Sequence, residues 1–134
     1  KEIDMVQNVT ALKNGDYAQV GVDIAAVKSA IGDTPLKVIL EVCYLTDDEI
    51  CRASEIAVKN GAAFVKTGTG WGNKPTTVEH IKLIRNTIGT DAQIKAAGGV
   101  RDLDTVLSMI DAGCTRFGIG VNSAEKILEQ AGIA

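Results

Sequence analysis

Lys37, Lys66 and Lys95 recur at a fixed interval of 29 residues, each inside a short apolar run. The runs are Leu36-Lys37-Val38-Ile39-Leu40, Phe64-Val65-Lys66-Thr67 and Ile94-Lys95-Ala96-Ala97, and each reads as a β-strand. A lysine within a strand is costly unless it faces water, a partner or a reaction. Three at matching places in successive repeats predict one polar surface shared by neighbouring strands. That surface points to a catalyst, or to a domain descended from one.

The rest of the chain alternates in the same way. Strands are expected near 2–8, 36–42, 63–68, 92–97 and 115–119, and helices near 16–31, 46–60, 76–88, 102–112 and 123–131. Thr46 with Glu49, and Thr76 with Glu79, match the capping box that opens a helix. Gly61, Gly89 and Gly113 follow three helices where a left-handed cap is favoured. Strands alternating with helices of this length predict βα units around a parallel sheet.

Strand parity narrows the architecture. Lys37, Ile39 and Glu41 share one face, opposite Val38 and Leu40. Lys66 lies with Phe64, and Lys95 with Gln93 and Ala97. Glu2, Asp4 and Val6 oppose Ile3 and Met5, while Arg116, Gly118 and Gly120 oppose Phe117 and Ile119. A sheet covered by helices on both faces would be apolar throughout. One charged face instead fits the inside of a (β/α) barrel, with reactive groups at the C-terminal strand ends. The same charges also allow a purely structural reading, as ion pairs of Lys37 with Glu41 or of Asp4 with a lysine.

Composition removes several function classes. The 134 residues, 46% of them hydrophobic, are expected to form one domain over 1–134 with a core of its own. A net charge of −3 without a basic cluster argues against nucleic acid. No apolar run is long enough to span a membrane, and the opening residues read as a strand rather than a signal peptide. Cys43, Cys51 and Cys114 lack metal-binding spacing and read as reduced thiols of a cytoplasmic protein. The single His80 reads as a surface residue with no second histidine to share a metal, so neither metal nor cofactor is expected.

The lysines suggest covalent chemistry. A free lysine, with a pKa of about 10.4, holds little neutral amine at neutral pH. Two ammonium groups about 6 Å apart repel by roughly 2–3 kcal/mol at an effective dielectric near 20, equivalent to about two pKa units. Lys66 and Lys95 on adjacent parallel strands are placed for this effect, the logic of a Schiff-base lysine beside a cation. Asp4, on the same face, suits proton relay, and Thr69 suits orienting a water. Glycine-rich loops follow three strands: Gly68-Thr69-Gly70-Trp71-Gly72, Gly98-Gly99-Val100-Arg101 and Gly118-Ile119-Gly120. They suit an anion such as phosphate at backbone N–H groups. A dinucleotide fold fits less well, since Gly68-Thr69-Gly70-Trp71-Gly72 does not match G-x-G-x-x-G.

Three strands resemble those of the deoxyribose-phosphate aldolase family. Phe64-Val65-Lys66-Thr67-Gly68-Thr69-Gly70 resembles its Schiff-base strand, F-[VI]-K-T-S-T-G. Ile94-Lys95-Ala96-Ala97-Gly98-Gly99-Val100-Arg101 resembles its second-lysine strand, and Glu2-Ile3-Asp4-Met5-Val6 its E-[VI]-D-[MV]-V strand. Leu36 to Glu41 and Thr115 to Gly118 also fit in order. The resemblance implies reversible cleavage of 2-deoxyribose 5-phosphate to glyceraldehyde 3-phosphate and acetaldehyde, without a metal. It implies that Lys66 forms the imine, Lys95 lowers its pKa and Asp4 assists proton transfer. It also implies that Gly70, Gly98, Gly99 and Gly118 lie around the phosphate; Lys37 and Thr69, from their place on the same face and loop, are candidate substrate contacts.

Against the family pattern, Gly68 replaces a serine, and Gly118-Ile119-Gly120 lacks the hydroxyl of a G-A-S turn. The family has eight βα units, and these five resemble strands 4–8. The expected fold is therefore an α/β, parallel (βα)5 partial TIM barrel. Five strands cannot close a barrel of eight, so self-association that covers the edges or inner face is expected. Two readings follow: an aldolase whose site is completed between chains, or an inactive, self-assembling remnant that binds a phosphate.

Overall fold

Alternating apolar positions place one row of side chains across the sheet. In the computed structural model, which describes residues 1–133, Met5, Val38, Val65 and Ile94 stand side by side on adjacent strands. The strands are β1 (Ile3–Val6), β2 (Leu36–Ile39), β3 (Phe64–Lys66), β4 (Gln93–Ala97) and β5 (Arg116–Gly118). All pair in parallel, in the order β1-β2-β3-β4-β5. The helices are α1 (Val9–Lys13), α2 (Tyr17–Ile31), α3 (Asp47–Lys59), α4 (Val78–Ile88), α5 (Leu103–Asp111) and α6 (Val121–Gln130).

The core lies between the helices and one sheet face. Val38, Leu40, Val65, Ile94 and Ala96 pack with Ile24, Ile50, Ile81, Ile84 and Met109, all fully buried. Each large aliphatic side chain so buried contributes about 1.5–3 kcal/mol. The charged residues of β1 to β5 occupy the other face, as parity predicts. Among the described residues no helix is long and apolar enough to cross a membrane.

Local chemistry explains most boundaries. The Thr46–Glu49 capping box forms at α3. At α4 the expected Thr76–Glu79 box is replaced by Thr77 with His80, one residue on. The reason is tertiary: the Thr76 hydroxyl is buried and held by the Ala97 carbonyl and the Thr67 hydroxyl. His80 is accordingly not a free surface residue. Its Nδ1 accepts the Thr77 N–H, and burial lowers its pKa.

Gly61, Gly89 and Gly113 all take positive φ after their helices. The first strand ends earlier than expected because Asn8 caps the short α1, its side chain accepting the Ala11 N–H. The second ends at Ile39, since Glu41 enters the left-handed region and Val42–Tyr44 forms a 3-10 turn. Cys43, Cys51 and Cys114 are free thiols.

Candidate active site

The pleat arranges the inner face in layers. Asp4, Lys37, Phe64 and Gln93 share one level by register. Ile39, Lys66, Lys95 and Arg116 share the next. The equal spacing of the three lysines therefore does not mean equal height. Lys66 and Lys95 are direct partners, whereas Lys37 sits one layer below, because β2 pairs with β3 two residues out of step with the lysine repeat.

Asp4 joins the two levels. Its carboxylate accepts from Lys37 Nζ through one oxygen and from Lys66 Nζ through the other, the latter at 2.7 Å. Lys37, only 5% exposed, also meets Glu2 at 3.1 Å. Glu2 in turn takes the Arg116 guanidinium at 2.6 and 2.8 Å. Arg116 lies over the Phe64 ring at 4.5 Å from its centroid. Of the ion pairs that parity allowed, Asp4 with lysine forms. Lys37 with Glu41 does not, because the Glu41 carboxylate turns instead to Thr69.

Protonation follows from this network. Burial raises the Asp4 pKa, but hydrogen bonds from Lys37 and Lys66 outweigh it and leave the carboxyl below its ordinary value. Burial likewise pulls Lys37 down, and Asp4 and Glu2 more than restore it. Arg116, then Lys37, lower Glu2. Lys95 behaves differently. Among the described residues it makes no salt bridge, and its pKa is lowered by burial first and by the Lys66 charge second. Four cations, Lys37, Lys66, Lys95 and Arg116, face two carboxylates, which favours an anionic ligand.

At the C-terminal strand ends an open groove of about 490 Å³ is lined by Lys66, Thr69, Gly70, Gly98, Gly99, Gly118 and Arg101, among others. Gly70 and Gly98 take φ +91° and +93°, and a Cβ on Gly98 would lie 3.5 Å from Gly70 Cα, so the two loops touch. A Cβ on Gly118 would come within 3.3 Å of Lys95 Cε, so this glycine leaves room for the lysine stem. The groove also reaches Gly120 and Ser123 at the start of α6, which has no side-chain cap. Of the residues singled out from the sequence, Lys66, Thr69 and the four glycines meet there. Asp4 reaches it through Lys66, Lys95 stands beside Lys66 in register, and Lys37 lies beneath.

Sequence reasoning missed Glu2, Arg116 and Glu41 as site-forming groups. Glu2 and Arg116 are 114 residues apart, so nothing local pairs them. Parity had placed both on the charged face, and that was the available signal.

Known proteins resemble this chain in sequence and fold. Residues 1–129 match the family model described as DeoC/LacD family aldolase. A deoxyribose-phosphate aldolase of Rhizobium meliloti (strain 1021) is 49% identical over 130 residues, covering 97% of this chain and 52% of the relative. One from Exiguobacterium sp. (strain ATCC BAA-1283 / AT1b) is 51% identical over 123 residues, covering 92% and 56%. The solved aldolase QR15 superposes with a TM-score of 0.88 at 38% identity, over 97% of this chain and 58% of its own. The tetrameric deoxyribose phosphate aldolase of Aeropyrum pernix gives a TM-score of 0.84 at 23% identity, covering 98% and 55%, a likeness of fold alone. The chain spans about half the length of the curated relatives it matches. Five parallel strands with helices packed on one face, superposing on part of larger aldolase folds, constitute a partial (β/α) barrel, and the chain belongs to the DeoC/LacD aldolase family.

Proposed function

We propose that this chain carries the imine-forming half of a class I aldolase that reversibly cleaves 2-deoxyribose 5-phosphate to glyceraldehyde 3-phosphate and acetaldehyde. The observation behind this is the register pairing of Lys66 with Lys95, with Asp4 hydrogen-bonded to Lys66. In this reading the Lys66 amine adds to the substrate aldehyde and water leaves, giving an imine. The hydroxyl two carbons along then loses its proton as the intervening carbon–carbon bond breaks. Glyceraldehyde 3-phosphate departs, leaving a two-carbon enamine, which is protonated and hydrolysed to acetaldehyde and free lysine.

Lys95 supplies a positive charge beside Lys66, its register partner, as in the logic of a Schiff-base lysine next to a cation. Asp4 takes and returns protons at Lys66, and Lys37 acts through Asp4, which it holds from below. Gly70, Gly98, Gly99 and Gly118 and the uncapped start of α6 receive the phosphate, which the excess of cations and helix N-terminal amides favour. The route draws on side chains alone. Three free thiols support a reducing, cytoplasmic setting.

Borohydride trapping with acetaldehyde or 2-deoxyribose 5-phosphate, read by peptide mass, tests the proposal. The expected adduct sits on Lys66, disappears in Lys66→Ala and weakens in Lys95→Leu. A folded protein that yields no adduct refutes it.

Self-association belongs to the same proposal. β1 and β5 are sheet edges, and Ile3 and Val6 on β1 are exposed. The expected result is an oligomer in light scattering at micromolar concentration; a monodisperse monomer overturns it.

A further inference from the structure

Glu41 is the one non-glycine residue with positive φ among the described residues, at φ 59° and ψ 58°. Such a conformation persists only where surrounding contacts over-determine it. The contacts here are specific. Glu41 is 8% exposed. One carboxylate oxygen accepts the Thr69 backbone N–H at 3.0 Å, and the other accepts the Thr69 hydroxyl at 2.5 Å. Gly68 leaves space for this contact: a Cβ there would lie 3.0 Å from the Glu41 oxygen and 3.2 Å from the Ala97 carbonyl. The loop after β2 is thus tied to the loop after β3 at the residue that follows Gly68.

The polarity of Thr69 follows. A carboxylate only accepts, so the Thr69 hydroxyl proton is committed to Glu41. The Trp71 N–H donates to the same hydroxyl oxygen at 3.1 Å and takes one lone pair. One lone pair remains, and Thr69 lines the groove that holds Lys66. Toward that groove Thr69 can accept a hydrogen bond but not give one.

We propose that Glu41 is a positioning residue: by holding the loop and the Thr69 proton, it presents a fixed hydrogen-bond acceptor to the groove and so selects ligands that donate a hydroxyl beside Lys66. The choice of a hydroxylated aldehyde rests on the imine reading above. The hold on the loop does not.

The test compares Glu41→Gln and Glu41→Ala with the wild-type chain, after circular dichroism and thermal melts establish that each is folded. Trapping rates are measured with 2-deoxyribose 5-phosphate and with acetaldehyde, which carries no hydroxyl. Fluorescence anisotropy of Trp71, the sole tryptophan and 93% exposed, reports order in the held loop. A glutamine keeps an acceptor for the Thr69 N–H but lets its amide donate to the hydroxyl, which frees the Thr69 proton for the groove.

Glu41→Gln is therefore expected to keep the anisotropy and lower the ratio of sugar-phosphate to acetaldehyde trapping about tenfold, the scale of one hydrogen bond. Glu41→Ala is expected to lower both the ratio and the anisotropy. A Glu41→Gln ratio equal to wild type overturns the proposal. If the wild-type chain traps neither aldehyde, the imine reading fails by itself and anisotropy decides on Glu41. A fall in Glu41→Ala then supports the hold on the loop, and an unchanged value overturns it.

Discussion

Lys66 and Lys95 are register partners on adjacent strands, yet of the two only Lys66 pairs with Asp4. The carboxylate thus settles one ammonium group and leaves its neighbour exposed to that group's charge.

The titration of Lys95 should reveal this asymmetry. Followed by NMR of the methylated amine, its midpoint is expected below the ordinary lysine value, through burial first and Lys66 second. Lys66→Leu should move it up. Asp4→Asn should move it further down, because the Asp4 charge opposes the shift. Between the lowered folded value and the ordinary one, the unfolded chain holds more protons at this position. Stability attributable to Lys95 therefore rises as pH climbs through that window. A Lys95 midpoint unmoved in Lys66→Leu contradicts the assigned cause.

Removing Asp4 should cost more than removing Lys37. Asp4→Ala leaves Lys37 buried with Glu2 alone and Lys66 with no carboxylate. Lys37→Met leaves Asp4 on Lys66 and Glu2 on Arg116. The expected loss for Asp4→Ala is about 2 kcal/mol in urea melts at neutral pH, since a buried charge loses a partner. The Asp4 pKa is lowered in the fold, so its contribution is present above the ordinary carboxylate value and lost as pH falls through the folded one. Asp4→Ala should flatten that acid limb. A larger loss for Lys37→Met would contradict this account of the network.

The glycines of the groove should differ sharply in tolerance. A Cβ on Gly99, at φ +82°, would lie 2.4 Å from Pro75 Cβ and 2.9 Å from its Cα. Gly99→Ala is expected to lose about 2–4 kcal/mol through clash and positive-φ strain. Gly120 has φ −68° and open space around a Cβ. Gly120→Ala should cost less than about 1 kcal/mol. Equal losses in chemical denaturation would mean that neither contact nor φ governs these loops.

Much of the architecture was legible because its causes are local. Period-two alternation assigned Val38 and Val65 to the helix-covered face and Lys66 and Lys95 to the open one. The capping pattern at Thr46 held because its hydroxyl is left to the Glu49 N–H, with no distant partner among the described residues. At Thr76 the same reasoning slipped by one residue, since the Ala97 carbonyl and Thr67 had claimed its hydroxyl.

The order of strands and helices, the two faces of each strand and the lysine motifs that mark the family can all be read along the chain. Each is written in neighbouring residues, through backbone periodicity and side-chain type. Tertiary structure alone decided that Lys37 lies below Lys66, that Glu2 meets Arg116, and that Glu41 holds Thr69. These depend on inter-strand register and on loops converging at the strand ends. A two-residue offset between strands preserves every side chain's face while changing its neighbours, so the pattern of a single strand carries no trace of it.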